Sequence, residues 1–197
     1  MDTTDIADSM KDSNELQVDK WVAIYIAVLA VFLSICTVGG GNSTKDATRA
    51  NIQASDTWAF YQAKHARQTT YKVAAEGLQL RLAEPGLPDT VRKQIEAQIA
   101  AYKGEIDRLE SDPQKGEGRK ELAAKARQFE KERDEALKQD PYFDYAQAFL
   151  QIAVVLASAS IVLKNRPLLF GSGFLGVLGV LLMLNGFTLA VNIPFLA

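Results

Sequence analysis

Among 197 residues there is one cysteine and one histidine, and no run alternates apolar and polar residues in the way a half-buried strand requires. The lone Cys36 excludes a disulfide within the chain and leaves the redox compartment unreadable. The lone His65 leaves too few nitrogen and sulfur ligands for a His-centred metal site, and no recognisable nucleophile completes a triad. Asp56, the nearest acid on the same predicted helix, lies nine residues away on a different face. No catalytic residue, metal or cofactor is expected. Net charge is also missing where a nucleic-acid partner would need it: from Asn42 to Asp144, 18 Lys and Arg face 18 Asp and Glu.

What the chain does have is charge segregated by region. Residues 1–20 carry six acids against Lys11 and Lys20, so an acidic, mobile tail is expected. That start lacks the cationic opening of a cleavable signal peptide, and the first apolar run reads as a retained helix. Trp21 to Val38 carries no charge over a length of about 27 Å, just enough for a hydrocarbon core, with Trp21 and Tyr25 where interfacial aromatics belong. Tyr145 to Leu163 and Leu168 to Val191 are the second and third such runs.

Within these segments small residues share faces. Ala23, Ala27, Ala30, Ser34 and Thr37 line one side of the first, and Ser172, Gly176, Gly179, Gly186 and Ala190 line a narrow arc of the third. Such faces let backbones approach closely, either within one subunit or between subunits. Asp144, Gln147, Gln151 and Ser158 form a polar stripe on the second segment, and Asn185 and Asn192 lie opposite the small face of the third. These groups need hydrogen-bond partners in lipid, supplied by neighbouring helices or by the lining of a polar path through an oligomer.

Orientation rests on short loops. Lys164, Asn165, Arg166 and Pro167 place two cations in a four-residue turn, which puts that turn and the N-terminus in the cytoplasm and residues 42–140 outside it. Against this, Lys45, Arg49, Lys131, Arg133 and Lys138 flank the membrane on the other side.

The soluble region reads as helical throughout. Gly39 to Gly41 form a hinge; with no preceding strand and no Gly-Lys-Ser/Thr element they are not a phosphate loop. Asn42, Ser43 and Thr44 are candidate caps for a helix running to about Glu84, where Pro85, Gly86 and Pro88 stop it. Ile52, Ala59, Ala66, Val73 and Leu80 recur every seven residues as one seam of a coiled coil would. Asp89 or Thr90 caps a second helix with Val91, Ile95, Ile99, Tyr102, Ile106 and Leu109 on one face. After a Pro113 loop, a third runs from Arg119 to Gln139 with Leu122, Ala126, Phe129 and Leu137 inward; Asp140 then caps the next membrane helix, with Pro141 in its first turn. The alternating charges of Glu130 to Glu135 mark a solvated face. Helix lengths suit an antiparallel hairpin, with a compact three-helix bundle as its rival. Trp58, Phe60, Tyr61 and Tyr71 point in several directions from the seam, so one partner helix does not bury them all. Trp58, Tyr61 and His65 share one stripe, and with Phe60 they form a candidate interaction surface.

The order of segments is familiar: an apolar run ending Gly39-Gly-Gly-Asn42, then Ala54-Ser-Asp-Thr-Trp-Ala-Phe-Tyr-Gln-Ala-Lys64, Asp140-Pro-Tyr-Phe-Asp-Tyr-Ala146 and Leu184-Asn-Gly-Phe187. Over nearly its whole length the chain resembles the bacterial domain of unknown function 4337 family. The resemblance implies a three-span protein of the bacterial cytoplasmic membrane and carries over no catalytic residue.

The expected fold is an all-α membrane protein with three transmembrane helices and an antiparallel helical-hairpin or coiled-coil domain between the first and second. Its parts are an acidic tail (1–20), a first span with a glycine hinge (21–41), a helical domain (42–140), a second span (141–163), a basic loop (164–167), and a third span with the C-terminus (168–197). The expected function is a noncatalytic, homo-oligomeric membrane scaffold with a possible protein partner; the alternative is a small channel or transport accessory lined by Gln147, Gln151, Ser158, Asn185 and Asn192.

Overall fold

The computed structural model describes the backbone of residues 3–193 and the side chains of residues 19–193. Apart from Asp19 and Lys20, the side chains of the acidic tail lie outside the described residues. Four helices follow one another: α1 (Thr3–Leu82), α2 (Asp89–Glu110), α3 (Arg119–Leu163) and α4 (Arg166–Thr188), with no strand among the described residues. Helices α1, α3 and α4 are long and apolar enough to cross a membrane. The chain divides into two compact units, Met1–Ala47 with Asp134–Ala197, and Thr48–Arg133.

Two expected breaks are absent. Helix α1 runs uninterrupted through Gly39, Gly40 and Gly41, so the glycines are no hinge and Asn42 to Thr44 cap nothing. Each glycine lowers helix propensity by about 1 kcal/mol relative to Ala. Gly39 has a packing reason to be there: a Cβ on it would lie 2.6 Å from Phe143 Cε1. Helix α3 likewise continues through Asp140 and Pro141. The proline removes one backbone hydrogen bond, but contacts hold the helix on either side. Ser43 Oγ donates to the Ala136 carbonyl at 2.6 Å before it, and Tyr142 and Phe143 are buried after it.

In the first unit, each helix buries one seam. Val22, Leu29, Cys36 and Ser43 on α1 repeat every seven residues; Phe143, Ala146, Leu150, Ala153 and Ala157 on α3 and Ser172, Gly176, Gly179, Met183 and Gly186 on α4 follow 3/4 spacing. Leu29, Cys36, Phe143, Leu150 and Met183 are at the centre of the core. Within the chain the small face of the first span, Ala23, Ala27, Ala30 and Ser34, is exposed and does not pack on a neighbouring helix. Larger side chains on the neighbouring face bury more apolar area.

In the second unit α1 buries Ala50, Ala54, Gln68 and Ala75, with Tyr61 half-buried. The expected seam is a correction: Ile52, Ala59, Ala66, Val73 and Leu80 are all exposed. At 100° per residue they lie on the side of α1 opposite the packed face. Helix α2 packs with Ile95, Ile99 and Leu109, and α3 with Leu122 and Ala126. Leu137, in the first unit, is exposed, and its neighbour Ala136 takes the buried position. Partners along α1 fall in number as α1 rises: Asn51 meets Arg133, Trp58 meets Glu130, Gln68 meets Glu110, Tyr71 meets Tyr102, and the Leu82 carbonyl meets Arg92.

Candidate functional site

The most connected polar cluster lies in the second unit around Gln68, only 2% exposed. Its amide N–H groups donate to the Ile106 carbonyl at 3.1 Å and to Glu110 Oε2 at 3.0 Å, and its carbonyl accepts from Arg119 at 2.5 Å. Arg119, the first residue of α3, also pairs with Glu110 at 2.9 Å and donates to the Tyr61 hydroxyl at 2.7 Å, its guanidinium lying 4.9 Å from the Tyr61 ring centroid. One side chain of α3 thus reaches both α1 and α2. The Gln68 hydrogen bond and the Arg119 charge hold the Glu110 carboxyl below its ordinary range. The loop beside it is tied down by Glu121, which accepts from the Ser111 hydroxyl at 2.6 Å and from the Asp112 N–H.

The residues of the candidate interaction surface divide. The Trp58 indole N–H donates to Glu130 at 2.9 Å, and its ring meets Tyr61 edge-on with centroids 5.3 Å apart. Both are half-buried, held by Glu130 and Arg119. Phe60 and His65 are exposed; Lys64 Nζ lies over the Phe60 ring, and His65 stacks beyond Tyr61 with centroids 6.5 Å apart. Among the described residues, no three His, Cys, Asp or Glu are grouped to hold a metal.

In the first unit the glycines of α4 meet large neighbours: a Cβ on Gly179 would lie 2.8 Å from Leu150 Cγ, and one on Gly176 2.9 Å from the Tyr25 hydroxyl. Ser172 donates to the Ala153 carbonyl at 2.7 Å and lies 3.2 Å from the Tyr25 hydroxyl, joining three helices. The Asn185 amide donates to the Val191 carbonyl at 2.8 Å and accepts from the Val191 N–H at 2.9 Å, fixing the turn after α4. Asn192 is exposed beyond that turn. On α3, Ser158 bonds its own helix at the Val154 carbonyl, Gln147 is half-buried, and Gln151 is exposed with no hydrogen-bond partner among the described residues.

The profile of a domain of unknown function, DUF4337, matches residues 18–189. The chain belongs to this family. No curated protein and no solved structure matches it. In this DUF4337 chain, three of the segments that carry the resemblance converge on Phe143. Its backbone carbonyl accepts from the Cys36 thiol, its ring fills the space above Gly39 and Gly186, and its edge meets Phe187 with centroids 4.8 Å apart. The fourth, from Ala54 to Lys64, supplies the Trp58 and Tyr61 contacts. Gln68 and Arg119 escape a motif search. The available signal was a polar residue at a seven-residue interval from Ala54, Tyr61 and Ala75.

Proposed function

We propose that this DUF4337 protein is a noncatalytic scaffold of the bacterial cytoplasmic membrane, anchored by α1, α3 and α4, that associates with copies of itself and presents a helical arm to a protein partner. The arm is an antiparallel hairpin in which α2 and the start of α3 run back along α1, supported by the descending series of contacts from Asn51 with Arg133 to Leu82 with Arg92. Lys164 and Arg166 in the short turn favour an N-terminus inside and the arm outside the cytoplasm.

One observation carries this reading. In a region rich in charge, α1 keeps Ile52, Val73 and Leu80 more than half exposed, with Ala59 and Ala66 between them and Phe60 beside them. A bare apolar stripe of this kind marks an interaction site. The channel alternative has less support, because the Asn185 amide is already engaged with Val191.

A photocrosslinking residue placed at Val73 or Phe60 in native membranes is expected to capture protein, whereas one at exposed Glu96 on α2 is not. No adduct at either stripe position, or equal adducts at all three, overturns the contact surface. Native mass measurement in mild detergent tests self-association, and a strict monomer overturns it.

A further inference from the structure

The three apolar helices offer an internal comparison. Each buries one seam, and at 100° per residue each also has a face pointing the opposite way. On α4 that outer face is Phe170, Phe174, Val177, Leu181 and Leu184, and on α1 it is Ile24, Ala27, Val31, Ser34, Ile35 and Val38. Both are built mainly from apolar side chains that acyl chains solvate without penalty. On α3 the outer face runs through Ala148, Ile152, Val155 and Val162, flanked on one side by Gln151 and Ser158, all exposed, with Asp144 at its aqueous end. Of these three faces only this one carries an exposed primary amide, Gln151.

Gln151 decides between lipid and protein as its neighbour. It lies six residues past Tyr145, about 9 Å into the apolar stretch of α3. Ser158 satisfies its hydroxyl on the Val154 carbonyl, but Gln151 has no partner among the described residues. Hydrocarbon cannot solvate a primary amide, so its partner must come from another molecule.

We infer that the Ala148, Gln151, Val155, Ser158 face of α3 is where a second copy of this chain docks, the two Gln151 amides hydrogen-bonding to each other across the interface. This deepens the proposed self-association by naming its surface. An amide carries both an acceptor and donors, so two copies related by a two-fold axis satisfy each other reciprocally. Ala148 and Ser158 on either side are small enough to let the helices approach, and one polar residue in an otherwise apolar seam fixes its register.

Disulfide trapping tests it in native membranes. Ala148→Cys and Val155→Cys, each in a Cys36→Ser background, are expected to give products of twice the chain's mass under a membrane-permeant oxidant, while Leu181→Cys and Val31→Cys give none. Equal trapping on all faces, no trapping on α3, or an α3 product of another mass overturns the inference. Gln151→Leu is expected to weaken self-association about threefold to twentyfold in sedimentation, the range of interhelical hydrogen bonds in membranes; unchanged association removes Gln151 from the interface. An oligomeric wild type without α3 trapping sinks this face and leaves self-association standing, whereas a monomeric wild type sinks both.

Discussion

Phe143 occupies the space that a side chain on Gly39 would need, its Cε1 only 2.6 Å from an ideal Cβ. Gly41, two residues on, has nothing within 4 Å of the same construction. Gly39→Ala is therefore expected to destabilise by about 1–3 kcal/mol through overpacking, and Gly41→Ala to be neutral or to stabilise by up to about 1 kcal/mol through helix propensity. Thermal unfolding of both variants in detergent checks this. Equal effects would remove the Phe143 contact as the reason for a glycine at position 39.

Gly179 has a comparable neighbour in Leu150, and the Ala146 carbonyl lies 3.1 Å from its Cβ position. Backbone cannot swing aside as a side chain can. Gly179→Leu should cost several kcal/mol, while Leu181→Ala, on the exposed face, should change stability by under about 1 kcal/mol. Because the crowded atoms belong to the same chain, the loss should come with unchanged oligomer mass.

The Gln68, Glu110 and Arg119 cluster should impose a pH dependence. Its carboxyl titrates below the ordinary range, chiefly through the Gln68 hydrogen bond. The associated stability is present above the ordinary carboxylate pKa and is lost as pH falls through the lowered folded value. Glu110→Gln should flatten the acid limb of the stability curve, and Gln68→Leu should lower stability at pH 7 by about 1–3 kcal/mol by leaving Arg119 and Glu110 short of a partner. An acid limb identical to wild type in Glu110→Gln would falsify the assignment.

Orientation can be read by labelling. Gln114→Cys, in the loop between α2 and α3 and in a Cys36→Ser background, is expected to react with an impermeant maleimide in intact cells. Reaction only after permeabilisation reverses the orientation and leaves the helical arm as it is.

The α2 face is legible in the sequence and the α1 face is not, for a physical reason. On α2, Ile95, Ile99 and Leu109 stand out against charged neighbours, so only one phase of the helix buries apolar surface. On α1 alanines occur on every side, and the phase through Ile52, Val73 and Leu80 looks more apolar than the true one through Ala54, Gln68 and Ala75. What overrides it is polar. Gln68 gains three hydrogen bonds inward, more than enough reason to turn a glutamine into the unit.

The sequence by itself determined that the chain is helical, that three segments can cross a membrane, and to which family it belongs, because these follow from local composition and from the order of segments. Only the tertiary structure decided where helices continue and which faces remain bare. Glycines and a proline break helices in isolation, yet Gly39 and Pro141 lie inside helices held on both sides by packing around Phe143. Whether an exposed Gln151 or a bare Val73 exists at all depends on how α1, α2, α3 and α4 share their surfaces, a long-range outcome that no local pattern contains.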